Sequence, residues 1–394
     1  MNPRAASPLE LDLVPGGPTF RLMLRVGLAN PAAPRLVRTA LVLILVTWVP
    51  LALLTLLSGT ALLGGIELPF ARDFAVHARL LLAVPLFLLS DVTVGPRLRA
   101  VAATFVRSGL VRDSNTADYE QAVRSGLRLR DSTTAEVVLI ALAVIGTVAS
   151  SYARLGQPVA SWAVLIDANG SHLSVAGWWY ALVGLPIFQF FLFRSIWRGY
   201  IWTRFLGEMA RLDLSLVATH PDHAGGLGFV GVGQTSWIML VLAVSIVLAG
   251  SFADAVVYGG AHVTDFQLPL GAFGAIVALA LLVPLFRFRG PLARTRFTAL
   301  LEYGALVHDH HLAFDRKWIG GGVSDDGSLL GNPDASSLAD ASTGYELVRA
   351  MRTMPLSVKD IMPIAVAVVL PMIPLFAIEI PLVEILKKLL AIIA

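Results

Sequence analysis

EVVLIALAVIGTVASSYA at positions 136–153 and LPLGAFGAIVALALLVPLF at positions 268–286 decide the fold. Past the leading Glu136, neither run contains a charged side chain. Each has about the 20 residues that carry an α-helix across the hydrocarbon of a bilayer. Backbone polar groups find no water there, so a run of this length is stable in lipid only as a helix that bonds its own chain.

Five further apolar runs lie outward from these two. The seven predicted spans cover 39–58, 76–94, 135–153, 177–197, 235–254, 267–287 and 361–380. The second is the least clean, with His77 and Arg79 at its start. Composition agrees. The 394 residues are 56% hydrophobic and 14% charged, whereas roughly a quarter of a soluble domain is charged. A soluble enzyme, a nucleic-acid binder and a disordered chain are thereby excluded. The net charge of +3 is too slight to imply nucleic acid as a partner. With no cysteine, disulfides, thiolate catalysis and Cys-ligated metals are ruled out. The N-terminus has no apolar stretch of signal-peptide type. Only 4 of the 30 basic residues are lysine, an Arg- and Ala-rich usage that fits a GC-rich bacterial gene.

Basic residues set orientation, because they are retained on the cytoplasmic side. With the N-terminus inside, segments 1–38, 95–134, 194–234 and 287–360 hold 25 of the 30 Lys and Arg. The fold class expected is therefore an all-α polytopic helical protein of the bacterial inner membrane. It has about seven transmembrane helices and a cytoplasmic N-terminus. Long helices extend from the spans into a cytoplasmic layer.

Four regions follow. Residues 1–38 are a cytoplasmic N-terminal segment. Residues 39–290 carry six spans, with cytoplasmic loops at 95–134 and 198–234. Residues 291–360 form a cytoplasmic helical segment with a flexible Gly-, Ser- and Asp-rich loop at 319–344. Residues 361–394 hold the last span and, from 382, an amphipathic helix on the periplasmic side. The stretch 198–217 continues the fourth span without a breaker. No internal repeat is visible.

Two strings have residue types suited to a site. RLDLSLVATHPDHAGGLGFVG (211–231) holds His220, Asp222 and His223, and VHDHHLAFDRKW (307–318) holds His308, His311 and Asp315. On a helix, His308, His311 and Asp315 share one face, and all six are plausible ligands for a divalent metal. The plainer reading makes the first string a polar turn and the second a solvated or packing face. Polar residues inside spans are costly in lipid and therefore informative. Gln189 lies near the middle of the fourth span, and the centre of the membrane is otherwise almost free of charge. Arg287, Arg289, Arg294 and Arg296 cluster after the sixth span, where they could ring a cytoplasmic vestibule or simply obey the positive-inside rule.

HPDHAGGLGF (220–229) and SSLADASTGYELVRAMRTMP (336–355), with a proline-interrupted last span, resemble a group of uncharacterised bacterial polytopic inner-membrane proteins. The resemblance covers the second half of the chain. It implies a shared architecture and no activity or catalytic residue.

Three functions are compatible with this sequence. The leading one is a homo-oligomeric ion channel or small-solute conduit, supported by the uncharged membrane interior and the polar cytoplasmic layer. The second is a membrane-embedded, metal-dependent enzyme acting on lipid-like substrates, with the two His strings as ligands and Asp309 or Asp315 as base. The third is a structural or partner-binding subunit of a membrane assembly.

Overall fold

A computed structural model of the chain describes residues 9–27, 36–62, 66–156, 160–168, 170–320 and 333–379. The amphipathic helix expected at 382–394, and residues 321–332 of the expected loop, lie outside the described residues.

Among the described residues, seven helices are long and apolar enough to cross a membrane. They are span 1 (Leu36–Leu57), span 2 (Phe74–Arg107), span 3 (Thr133–Leu155), span 4 (Val175–Met209), span 5 (Phe229–Gly259), span 6 (Val263–Phe286) and span 7 (Val358–Phe376). They alternate in direction, so one end of the bundle carries the N-terminal segment and most of the basic residues. We call it the basic end and the other the far end. The chain is an all-α polytopic membrane protein, and its only strands among the described residues are a short far-end hairpin, β1 (Val164–Asp167) with β2 (Gly170–Leu173).

Burial ranks the spans. Half of the apolar stretch of spans 2 and 4 is buried in protein, against 17% for spans 1, 3 and 6. Spans 2 and 4, with span 5, are therefore the centre, and the outer faces of spans 1, 3 and 6 are left to lipid. Capping residues explain where several spans start. The Ser132 hydroxyl accepts from Ala135 N at 3.2 Å at the head of span 3. Ser357 and Asp360 form a reciprocal capping box at the head of span 7.

Two expectations are corrected. The helix of span 4 stops at Met209 instead of running to 217. The chain turns away because Ser215 N bonds Leu110 O at 2.8 Å and Arg112 pairs with Asp213. Both tie it to the connection after span 2. Residues 333–344, expected in a flexible loop, form the first part of a helix, Pro333–Ala350. Pro333 suits a first helical turn, and Asp334 accepts from Lys317 Nζ at 2.6 Å and Trp318 Nε1 at 3.1 Å. This helix packs back along the long helix Arg289–Phe314. His310 Nε2 lies 3.0 Å from Ser337 Oγ and His311 Nε2 lies 3.2 Å from Ser342 Oγ.

Two of the spans share a short repeated pattern. Spans 2 and 4 enter from the same end and match at a constant separation of 101 residues. Asp73 and Ser174 are the side-chain caps. Pro85 matches Pro186, and Phe87 matches Phe188. Just ahead of each proline the helix loosens into one π-helical turn, Ala78–Ala83 in span 2 and Tyr180–Gly184 in span 4. The cause is local, since proline offers no N–H and its ring crowds the carbonyl one turn back. Matched residues touch one another. Arg79 Nη1 donates to Tyr180 Oη at 3.3 Å, and the Phe87 and Phe188 ring centroids are 5.8 Å apart. The two helices therefore run side by side in register.

Candidate functional site

At the far end, four charges from distant parts of the chain converge on one cavity. Asp73 is the cap of span 2. Its Oδ1 accepts from Val76 N at 2.8 Å and its Oδ2 from Trp162 Nε1 at 2.9 Å. Trp162 is fully buried, and its backbone N–H bonds Leu68 O at 3.0 Å. Asp254, near the end of span 5, reaches across to the same helix start. Its two oxygens accept from Phe74 N at 2.8 Å and Ala75 N at 3.0 Å. Two carboxylates thus satisfy three N–H groups that a helix start leaves unpaired.

Arg79 lies one π-turn deeper. It donates to Tyr180 Oη and, at 3.2 Å, to Ser251 Oγ. Arg154, at the end of span 3, sits on the other side of Tyr180 with its guanidinium 5.1 Å from the ring centroid. Its nearest carboxylate oxygen is Asp73 Oδ2 at 3.7 Å. These groups, with Ser161 and Tyr258, line a cavity of about 550 Å³. Ligand pockets typically hold about 300–1,000 Å³. Every carboxylate oxygen here accepts a backbone or indole N–H, while Arg79 hydrogen-bonds only hydroxyls and Arg154 pairs with Asp73 by charge without a hydrogen bond among the described residues. The site therefore presents unused N–H donors.

Below this cavity the same helices turn apolar. Leu80, Val84 and Phe87 of span 2 pack with Leu185 and Phe188 of span 4 and Ala243 and Val247 of span 5. Charge returns at the basic end. Asp91 of span 2 pairs with Arg198 of span 4, and both are largely buried. From Arg79 to Asp91 is 12 residues of helix, or about 18 Å of rise.

An extended N-terminal strap, residues 9–17, is threaded into the basic-end cluster. Leu11 and Leu13 are fully buried. Arg99 pairs with Asp12, and Arg130 Nη1 donates to Asp12 O at 2.6 Å. Gly17 N donates to Asp131 Oδ1 at 3.0 Å and Thr19 N to Glu136 Oε1 at 2.8 Å. Burial alone would raise the Asp131 carboxyl, but the Arg130 guanidinium and the Gly17 N–H outweigh it and hold it below the usual range. Gly16, Glu136, Arg194 and Arg198 enclose a remaining void of about 20 Å³, enough for one water. Buried Arg194 reaches only Gly16 O, at 3.4 Å, and Glu136 Oε2 is buried with no hydrogen-bond partner among the described residues.

The candidates from the sequence fall elsewhere. Asp222 organises its own loop: its carboxylate accepts from Ala224 N at 2.7 Å, Gly226 N at 3.2 Å and Gly228 N at 2.7 Å. His220 Nδ1 lies 2.8 Å from the same carboxylate. Burial opposes ionisation of Asp222, yet the three N–H groups and the His220 ring win and lower its pKa. His223 holds a left-handed backbone, φ 52°, and its carbonyl accepts from Arg352 N at 2.7 Å. Arg352 Nη2 also donates to Asp222 O at 2.8 Å. The loop is a structural clasp that joins the two strings of the resemblance.

His308, His311 and Asp315 are exposed on the helix Arg289–Phe314 and just beyond it. Leu292 of that helix touches the clasp at Gly225, so His308 lies 16 residues, about 24 Å, further along. The six residues therefore do not form one site, and no three His, Asp or Glu among the described residues group as metal ligands. Gln189 accepts from Thr147 Oγ1 at 3.3 Å and covers Gly146, joining spans 3 and 4. Arg287 lies on Gly207, where a Cβ would collide with it. Arg296 Nη2 donates to Arg349 O at 2.9 Å. Arg289 and Arg294 are exposed. Within the single chain the four arginines make separate contacts and share no site.

Sequence reasoning missed the far-end cluster because each of its charges sits singly at a span end. One signal was present: His77 and Arg79 spoil an apolar run, and such residues mark function in membranes. Comparison of the chain with protein-family models, with curated proteins and with solved structures finds no match.

Proposed function

We propose that the protein is a gated conduit for a small charged solute, with the passage inside each protomer along the contact of spans 2 and 4. One observation carries this reading. A polar cavity at the far end and a buried charged cluster at the basic end lie on the same two helices, with an apolar layer around Phe87 and Phe188 between them. Buried charge is costly in a membrane and is kept where a solute path needs it. The π-turns and prolines at matched depth are the natural hinges of that layer. The strap covers the charged cluster at the basic end, and the far-end cavity is the open one.

By the positive-inside rule the basic end faces the cytoplasm of a bacterial inner membrane. Copies associate through span 6, where Gly271 and Gly274 have open space over their Cα atoms and small residues favour close helix contact. The metal-dependent enzyme finds no converging ligands among the described residues to support it.

The test is reconstitution of the full chain into liposomes loaded with labelled phosphate, succinate or rubidium. The proposal expects release of one of them above protein-free vesicles. Folded, correctly inserted protein that releases none would overturn it.

A further inference from the structure

We infer that the far-end cavity is a binding site for a small oxyanion, a carboxylate or phosphate group held between Arg79 and Arg154. The inference rests on the conduit reading for its biological sense and on the geometry of the cavity for its chemistry. Four observations converge on it.

First, the formal charges cancel, but the donors and acceptors do not. Each of the four carboxylate oxygens of Asp73 and Asp254 already accepts an N–H. These N–H groups belong to the positive start of span 2 and to Trp162, so the carboxylates are spent on the protein itself. Second, Arg154 makes no hydrogen bond among the described residues, and its ion pair with Asp73 is long, at 3.7 Å. Its side chain is a quarter exposed, toward the cavity it lines. Third, Arg79 is half-buried and spends one N–H on a phenol and one on a serine hydroxyl, both neutral. A guanidinium in that state is undersatisfied, because its fork matches an oxyanion far better than two hydroxyls. Fourth, Tyr180 fixes the spacing: Arg79 binds its hydroxyl and Arg154 lies over its ring. The two guanidinium groups therefore flank one aromatic ring at the cavity wall.

Size and position restrict the ligand further. A cavity of about 550 Å³ holds a group well beyond a single ion. Ser161, Ser251 and Tyr258 add hydroxyls on its wall, which suits a ligand that carries polar groups besides its charge. Because the cavity lies at the ends of spans 2, 3 and 5, the oxyanion has two possible sources with the same chemistry: a free solute or the phosphate of a lipid headgroup.

The test uses the full-length protein in detergent and three variants, Arg154→Gln, Arg154→Lys and Arg79→Gln. Inorganic phosphate and succinate are titrated at constant ionic strength, with chloride as the control, and binding is read by calorimetry. Native mass spectrometry of protein taken from nanodiscs containing phosphatidylglycerol reads the lipid source. We expect saturable binding of phosphate or succinate, or retained phosphatidylglycerol, by the wild type. Arg154→Gln should weaken it by at least about tenfold, because a charge-assisted pair is lost. Arg154→Lys should fall between, keeping the charge and losing the fork. Arg154 is the primary variant, since it is partly exposed; every variant is interpreted only if it melts as the wild type does, and Arg154→Lys, which keeps the charge, carries the test if Arg154→Gln does not fold. Binding of soluble anions assigns the site to a free solute, and retained lipid lost in Arg154→Gln assigns it to a headgroup. Folded protein that binds none of the three probes, or binds them equally well as Arg154→Gln, overturns the inference. Binding without liposome release leaves this inference standing and removes the conduit. Release without binding does the reverse.

Discussion

Replacing Leu11 with alanine should release the N-terminal strap without unfolding the bundle. Leu11 is fully buried, and its Cδ1 sits 2.9 Å from where a Cβ on Gly126 would lie. It fills a notch that exists because residue 126 has no side chain. Leucine-to-alanine truncations in cores cost about 2–5 kcal/mol. A middle value near 3 kcal/mol shifts the docked-to-free ratio of the strap by roughly a hundredfold. The converse change, Gly126→Ala, overfills the same notch and should cost about 1–3 kcal/mol. Together they should cost less than the sum, since the new methyl enters the space that Leu11 vacates. Hydrogen exchange of residues 9–17, followed peptide by peptide in detergent, is the assay, with melting temperature as the control. Faster exchange in the strap, unchanged exchange in spans 2 to 5 and non-additivity of the pair are expected. Strap exchange unmoved by Leu11→Ala, or exchange rising equally throughout the bundle, would refute the reasoning.

Three further outcomes follow from other parts of the structure. Asp222→Ala leaves three backbone N–H groups without their acceptor and should lower stability by about 3 kcal/mol at neutral pH, read as a fall in melting temperature; Asp222→Asn should cost less. Because the folded-state pKa of Asp222 is lowered, its contribution is complete above the ordinary carboxylate pKa near 4 and is lost as pH falls through the lower folded value. A pH series of melting curves should show that loss in wild type and not in Asp222→Ala. Gly250→Ala would place a methyl 2.9 Å from Phe74 O, pushing span 5 off the start of span 2. It should cost about 1–3 kcal/mol and weaken oxyanion binding with it, measured by melting and calorimetry. Burial raises the Tyr119 phenol to about 12. Stability from it is intact below pH 10 and is lost as pH rises toward that value, so Tyr119→Phe should flatten the alkaline limb of the melting profile.

The spans were legible because lipid imposes one rule on every residue in them: apolar runs of the right length have a single stable form. Their ends were legible where a cap marks them, as at Ser132 and Ser357. Span 4 was misread at its lower end because nothing local stops it. The strand-like pairing of Ser215 with Leu110 does so, and that contact spans more than 100 residues. The repeat was hidden because its two copies share roles more than residues. A cap is Asp in one and Ser in the other, and Arg79 of one meets Tyr180 of the other. The far-end site was hidden because its carboxylates and guanidiniums come from three spans far apart in the chain. The strap had a local sign in LELDLVPGG (9–17), where leucines alternate with acidic residues as in an extended chain with one buried face. The histidine strings drew attention by residue type alone. The structure uses one to staple a loop and the other to pack two helices.

The repeat also gives the conduit a direct test, because the chain has no cysteine of its own. Cysteines placed at Phe87 and Phe188 would be the only thiols, on the two spans where they face each other across the apolar layer. The measurement is release of the transported probe from liposomes containing the Phe87→Cys/Phe188→Cys protein, before cross-linking, after it and after reduction, with each single variant as control. The account predicts release that stops when spans 2 and 4 are locked together and resumes on reduction. Release that continues at full rate through completely cross-linked protein would place the path elsewhere and contradict it.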